Sequence, residues 1–283
     1  MQVSSYSKWV LSGEHSVVRG GKAIAFPLKN YKCSVNFEKN VILNVKHSNN
    51  LEKIFINLIK NAAEFTGIDP KVLHGSFEIS SNIPMNAGLG SSAAICSNIA
   101  KLFKILRLCD DEFSLAKNLE NAFHKKSSGL DTSVAITSNA IVFQNGNIIK
   151  HPQISFWPNM ILTYSGKKLS TSASSQIVKN LFSKDRALAE KLDEMMQESV
   201  NLCEYALENG DFYSLKSGIQ LGNEAFEKWG LINEQLEQHI KMLKSNGAIA
   251  AKPVGSGLGG YVVSLWDSKP NLNNHICLTL ERP

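Results

Sequence analysis

Glycine and serine crowd one short stretch of the chain, Ala87-Gly88-Leu89-Gly90-Ser91-Ser92, which runs directly into an apolar pattern of helical period. Glycines let a backbone come close to a ligand and turn several N–H groups inward. A helix N-terminus adds unsatisfied donors and the positive end of the helix dipole, so an anion is favoured there. Ser91 and Ser92 could bond phosphate oxygens or ligate a magnesium ion. The same residues would also serve as a capping turn with no ligand. Two familiar nucleotide motifs do not fit. The chain has no Gly-x-x-x-x-Gly-Lys-Ser/Thr, and the third glycine of the dinucleotide fingerprint is missing after Gly88-Leu89-Gly90.

Three other segments hold reactive residue types. Gly13-Glu14-His15 closes an apolar strand and puts two ionisable groups at a turn, where ligand contact is common; an exposed turn pair is the plain alternative. In Lys252 to Gly260, four glycines fall within six residues between two strand-like stretches. That suits a loop pressed against phosphate or substrate, or a flexible hairpin connection. Phosphoryl transfer needs an aligned hydroxyl, a magnesium ion and positive charge around the phosphates. Glu120, late on a helix, and Asp131, in Ser127-Ser128-Gly129-Leu130-Asp131-Thr132, are candidates for that chemistry. A solvated helix residue and a turn cap are their structural alternatives.

These residues need elements to position them. Residues 31–37 alternate apolar and polar, as do 41–45 less cleanly, which predicts strands of an antiparallel sheet with one solvated face. Leu51, Ile54, Phe55, Leu58, Ile59, Ala62 and Phe65 predict an amphipathic helix, ended by Thr66-Gly67 and Asp69-Pro70. Phe77 and Ile79 mark a short strand. A helix begins at or just after Ser91-Ser92, with Ile95, Ile99, Leu102, Phe103 and Leu106 on one stripe. A second follows Asp110-Asp111, with Phe113, Ala116, Leu119 and Phe123 on its buried side. Residues 140–143 and 160–164 are strand-like; helices are predicted near 185–208, 211–228 and 233–245, then strands at 247–251, 260–266 and 275–280. Two prolines and a tryptophan interrupt the periodicity between His151 and Pro158, so domains of 1–155 and 156–283 are expected.

The 283-residue chain is 43% hydrophobic and 19% charged, as a soluble globular protein is. Its net charge of +5 suits an anionic small ligand but is too weak and scattered for nucleic acid. The five cysteines form no CxxC pair, which argues against a zinc site or disulfide framework and for a reducing compartment. The chain has no 18-residue apolar run, so no membrane span is expected. Lys8, Glu14 and His15 interrupt any signal-peptide core. The expectation is a cytoplasmic enzyme.

Pro84 to Ala94 resembles the second signature of the GHMP kinases, Pro-x-x-x-Gly-Leu-Gly-Ser-Ser-Ala, and matches it at every signature position. Ser7 to Ala23 resembles the first signature in its mevalonate kinase branch, with Lys8, Gly13, Glu14, His15, Val17, Val18 and Gly20 matching and Tyr6-Ser7 in place of Pro-Gly. Lys252 to Gly260 resembles the third, with Val254 in place of threonine. The spacing of Glu120 and Asp131 also resembles that branch, a glutamate eleven residues before an aspartate in a Ser-Gly-x-Asp context.

The resemblance implies a two-domain α+β fold, with an N-terminal domain like the second domain of ribosomal protein S5 and a ferredoxin-like C-terminal domain. It implies ATP and Mg2+ as cofactors and a small-molecule alcohol, mevalonate or a relative, as partner; it leaves homodimer formation open. Asn86, Ala87, Gly88, Leu89, Gly90, Ser91, Ser92 and Ala93 would wrap the nucleotide. Ser92 and Glu120 would hold the metal. Asp131 would accept the hydroxyl proton, with Lys8 beside it lowering the hydroxyl's pKa. Glu14, His15, Thr171, Gly255, Ser256 and Gly257 would meet the acceptor. The segment before Thr171 departs from the branch, with Leu169 in place of an arginine and Lys167 or Lys168 as replacement charges. His15 favours mevalonate over phosphomevalonate, whose kinases tend to carry tyrosine there. A related acceptor, a decarboxylase of the superfamily and a non-catalytic nucleotide sensor are the competing readings.

Overall fold

The computed structural model describes residues 1–40, 44–47, 52–84, 87–123, 127–166, 171–270, 272, 277–279 and 282. The chain divides into two units: Met1–Lys8, Pro27–Met85 and Leu89–Asn139 form one, and Trp9–Phe26, Asn86–Gly88 and Ala140–Pro283 the other. Residues of the first two strands, β1 (Gln2–Ser12) and β2 (Ala23–Lys39), belong to both.

In the first unit β2 pairs antiparallel with β4 (Gly75–Ser81), Cys33 opposite Ser81 and Phe37 opposite Phe77. The short β3 (Asn44–His47) lies parallel to β4, Asn44 opposite Ser76. This corrects the antiparallel expectation for residues 41–45, of which 41–43 lie outside the described residues. The physical reason is α1 (Glu52–Thr66), which connects β3 to β4; parallel neighbours need such a crossover. Helix α1 buries Phe55, Leu58, Ile59, Ala62 and Ala63, while Ile54 and Phe65 are exposed. Phe77 meets Phe37 and Phe55 at ring-centroid distances of 4.6 and 5.3 Å.

Three more helices complete this unit: α2 (Ser91–Ile105), α3 (Glu112–Glu120) and α4 (Leu130–Thr137). The buried side of α3 differs from expectation. Asp111 caps it through the amides of Phe113 and Ser114, so Phe113 falls in the first turn, and the helix ends before Phe123. Both phenylalanines are exposed, and the stripe that packs inward is Leu115, Ala116, Leu119 and Glu120.

The second unit holds an antiparallel sheet of order β10-β7-β9-β8, made of β7 (Asn159–Tyr164), β8 (Ala250–Pro253), β9 (Tyr261–Trp266) and β10 (Cys277–Thr279). The start of β2 pairs with β5 (Ile141–Gln144), which turns into β6 (Asn147–Lys150). Its helices are α5 (Thr171–Lys184), α6 (Arg186–Asn209), α7 (Phe212–Lys228) and α8 (Glu234–Ser245). Asp185, Asp211 and Asn233 cap α6, α7 and α8 with side-chain oxygens that accept first-turn amides. Helices α6 and α7 touch closely at Gly218, where a Cβ would lie 2.7 Å from Cys203 Sγ. The mixed architecture agrees with the α+β expectation.

Candidate active site

In the first unit β1 and the end of the glycine-serine loop are tied together. The Lys8 amide donates to Leu89 O at 3.0 Å and Ser7 Oγ to the same oxygen at 2.7 Å. Gly90 then adopts φ 78° and ψ 33° and starts α2 with no side-chain cap. Any Cβ at position 90 would sit 2.9 Å from Lys8 Cγ and 3.1 Å from Cε, so glycine is what lets the lysine shaft pass. The first turn of α2 carries Ser91, Ser92 and Ala93 and no acidic residue, an N-terminus suited to an anion.

Lys8 is buried, and its Nζ lies 2.8 Å from Asp131 Oδ2. Asp131 sits in the first turn of α4, which Gly129 begins at φ 89°. The Ser97 hydroxyl of α2 donates to the Thr132 carbonyl at 3.3 Å and links the two helices. Glu120, the last residue of α3, is buried and accepts a hydrogen bond from Ser127 Oγ at 2.5 Å. Burial first, and the charge of Asp131 second, push its carboxyl up to about 7; the Ser127 bond and Lys8 pull the other way. Lys8, Glu120 and Asp131 therefore share one electrostatic neighbourhood. Two carboxylates against one ammonium fit a hard dication held through carboxylate and phosphate oxygens. No group of three or more His, Cys, Asp or Glu side chains that could hold a metal ion exists among the described residues, so phosphate and hydroxyl oxygens would have to complete such a site.

In the second unit Glu14 and His15 form a tight turn. His15 has φ 61° and ψ −48°, and the Ser16 amide donates to the Glu14 carbonyl at 2.7 Å, which is the strained form of a three-residue γ-turn. Glu14 is not an exposed turn residue. It is buried, and its Oε1 accepts from Lys252 Nζ at 2.7 Å and from the Gly255 amide at 3.4 Å. His15 Nε2 lies 3.0 Å from the Ser256 carbonyl, and its ring meets Phe226 and Trp229 edge-on at 5.8 and 5.5 Å. The glycine-rich loop 254–260 is pinned as well: the Leu258 amide donates to Leu231 O at 2.8 Å. A Cβ on Gly257 would lie 2.9 Å from that same oxygen. The segment is the hairpin connection between β8 and β9, and these contacts tie it to Leu231.

The structure thus gathers Lys8, Glu120 and Asp131 in one place, and Glu14, His15, Gly255 and Ser256 in another. Thr171 is exposed at the first residue of α5. Asn86, Lys167, Lys168 and Leu169 lie outside the described residues. Lys252 received no role from the sequence. Its signal was a lysine inside an apolar strand: a fully buried ammonium needs a carboxylate partner.

The model of the GHMP kinases N terminal domain matches residues 51–139. The mevalonate kinase of Pyrococcus abyssi is 25% identical over 300 residues, which cover 94% of this chain and 88% of that protein. The chain is thus similar to the GHMP kinases, in residues 51–139 by the family's N terminal domain and over nearly its whole length by a mevalonate kinase. Among solved structures, L. major mevalonate kinase in complex with R-mevalonate aligns with a TM-score of 0.77 at 20% identity, over 95% of this chain and 87% of that chain. Streptococcus pneumoniae phosphomevalonate kinase, in complex with phosphomevalonate and AMPPNP, also gives 0.77, at 14% identity over 95% and 92%. Kinases named for two different acceptors share this fold, so the acceptor must be argued from side chains.

Proposed function

We propose that the protein is an ATP-dependent kinase that phosphorylates the hydroxyl of mevalonate, giving 5-phosphomevalonate and ADP. The observation that carries this reading is the buried Lys8 paired at 2.8 Å with half-exposed Asp131, beside the Gly90 start of α2. In this reading the amides and hydroxyls of residues 87–93 hold the triphosphate. Ser92 and Glu120 would hold Mg2+, which would supply neutralising charge to the triphosphate. Asp131 takes the proton of the attacking hydroxyl. The Lys8 ammonium stabilises the alkoxide character that develops on the hydroxyl oxygen as the proton leaves. His15 meets the acceptor together with Thr171 and the Gly255–Gly257 loop, while Glu14, bound to Lys252, supports that turn. Mevalonate as acceptor is supported by the 25% identity with the P. abyssi enzyme over nearly the whole chain and by histidine at position 15.

We place the enzyme in the cytoplasm: Cys33, Cys96 and Cys203 are free and buried, and no helix among the described residues is long and apolar enough to cross a membrane. A coupled ADP-release screen of mevalonate, phosphomevalonate and common sugars tests the reading. Turnover is expected with mevalonate. Turnover with another acceptor alone would remove mevalonate and leave the kinase; no turnover with any acceptor would count against the kinase.

A further inference from the structure

We propose that Lys252 is a positioning residue: through Glu14 it holds His15 in its strained turn and thereby sets the affinity for the acceptor without touching it. The inference rests on the reading that His15 meets the acceptor. A backbone at φ 61° persists on a non-glycine residue only where its surroundings over-determine it. Here Glu14 is fixed at both ends. Its carbonyl accepts the Ser16 amide at 2.7 Å, and its carboxylate is gripped by Lys252 Nζ at 2.7 Å and the Gly255 amide at 3.4 Å. His15, between these anchors, is fixed in turn by the carbonyl of Ser256, the next residue of the same loop.

Lys252 reaches this position because α7 makes room for it. A Cβ on Gly222 would stand 3.2 Å from both Lys252 Cδ and Cε. The ammonium also donates to the Pro253 carbonyl at 2.8 Å and lies 5.3 Å from the Phe226 ring, against which His15 rests. Glu14 Oε2 is buried without a hydrogen bond, so the carboxylate depends on Lys252 for its charge balance. A buried ion pair of this kind seldom stabilises more than an apolar pair of the same shape. Its consequence here is geometric, a fixed direction for the His15 ring relative to the glycine loop.

The single change Lys252→Met leaves a bare buried carboxylate and can fail to fold, so the test uses the neutral double variant Glu14→Gln/Lys252→Met. Steady-state kinetics are measured with ATP and mevalonate for the wild type, the double variant, His15→Ala and the triple combination, after circular dichroism shows native folding. The KM for mevalonate is expected to rise about tenfold or more in the double variant, with the KM for ATP within about twofold. Adding the double change to His15→Ala should raise it little further, since both act through one imidazole. An unchanged acceptor KM in a folded double variant, or effects that add in full, would overturn the role of Lys252 alone. An unchanged acceptor KM in His15→Ala would instead remove the reading of His15, and the proposal with it.

Discussion

Lys8 meets Asp131 at 2.8 Å and Lys252 meets Glu14 at 2.7 Å, yet the two carboxylates stand in different surroundings. The Asp131 side chain is 32% exposed, whereas Glu14 is 4% and Lys252 0% exposed. Contact length does not separate the pairs; access does. A carboxylate open to solvent can exchange its lysine for a hydroxyl and take a proton, because water and ligand reach it. A carboxylate sealed with its lysine cannot release it without leaving a bare charge inside the protein. The first pair has the access that the proposed chemistry beside the glycine-serine loop needs; the second is sealed beside a turn.

The comparison breaks most easily on stability. Lys252→Met is expected to cost about 3–5 kcal/mol, the usual loss when one partner of a buried pair is removed. Lys8→Met should cost far less, since Asp131 can rehydrate, but should lower kcat by about 10²–10³. Urea unfolding and steady-state rates on both variants check this, and equal stability losses would erase the distinction. Gly90→Ala sharpens the Lys8 side. The positive φ and the 2.9 Å approach to Lys8 Cγ predict a loss of about 1–3 kcal/mol, and a lower kcat as the lysine shaft is displaced.

The smallest effect is a pH slope. The Glu120 carboxyl is raised from 4.5 to about 7 in the folded protein, first by burial and then by Asp131. The folded state then holds a proton that the unfolded state has lost, so this stabilisation is complete below about pH 4.5 and disappears as pH rises through 7. Thermal midpoints of metal-free protein should fall between pH 5 and 7.5 on this account. Glu120→Gln should flatten that trend, and an unchanged slope in the variant would assign it elsewhere.

How much of this was legible in the sequence varies by residue. Helices α6, α7 and α8 were predicted within a residue or so, because Asp185, Asp211 and Asn233 cap amphipathic runs of ordinary length. Helix α4 was not: all but two of its eight residues are buried, which leaves no polar face to generate a period. Helix α5 opens on Thr171-Ser172-Ala173-Ser174-Ser175, too small and polar to read as helix. Phe113 and Phe123 misled the reading of α3, since a cap at Asp111 sets the phase of the helix and hydrophobicity alone does not. At the site, spacing and resemblance marked Lys8, Glu120 and Asp131, and the fold brings them together. The partnership of Glu14 with Lys252 joins residues 238 apart in sequence, which no local pattern reveals.

The most direct test of the distinction between the two pairs is Asp131→Asn, measured by single-turnover phosphoryl transfer alongside nucleotide affinity. Asparagine preserves shape and cannot take the proton. The rate should fall by about three orders of magnitude, the range that positioned acid–base catalysis supplies, with ATP bound within about threefold of wild-type affinity. A rate close to wild type would contradict the account, because the half-exposed carboxylate beside Lys8 would then not be the base.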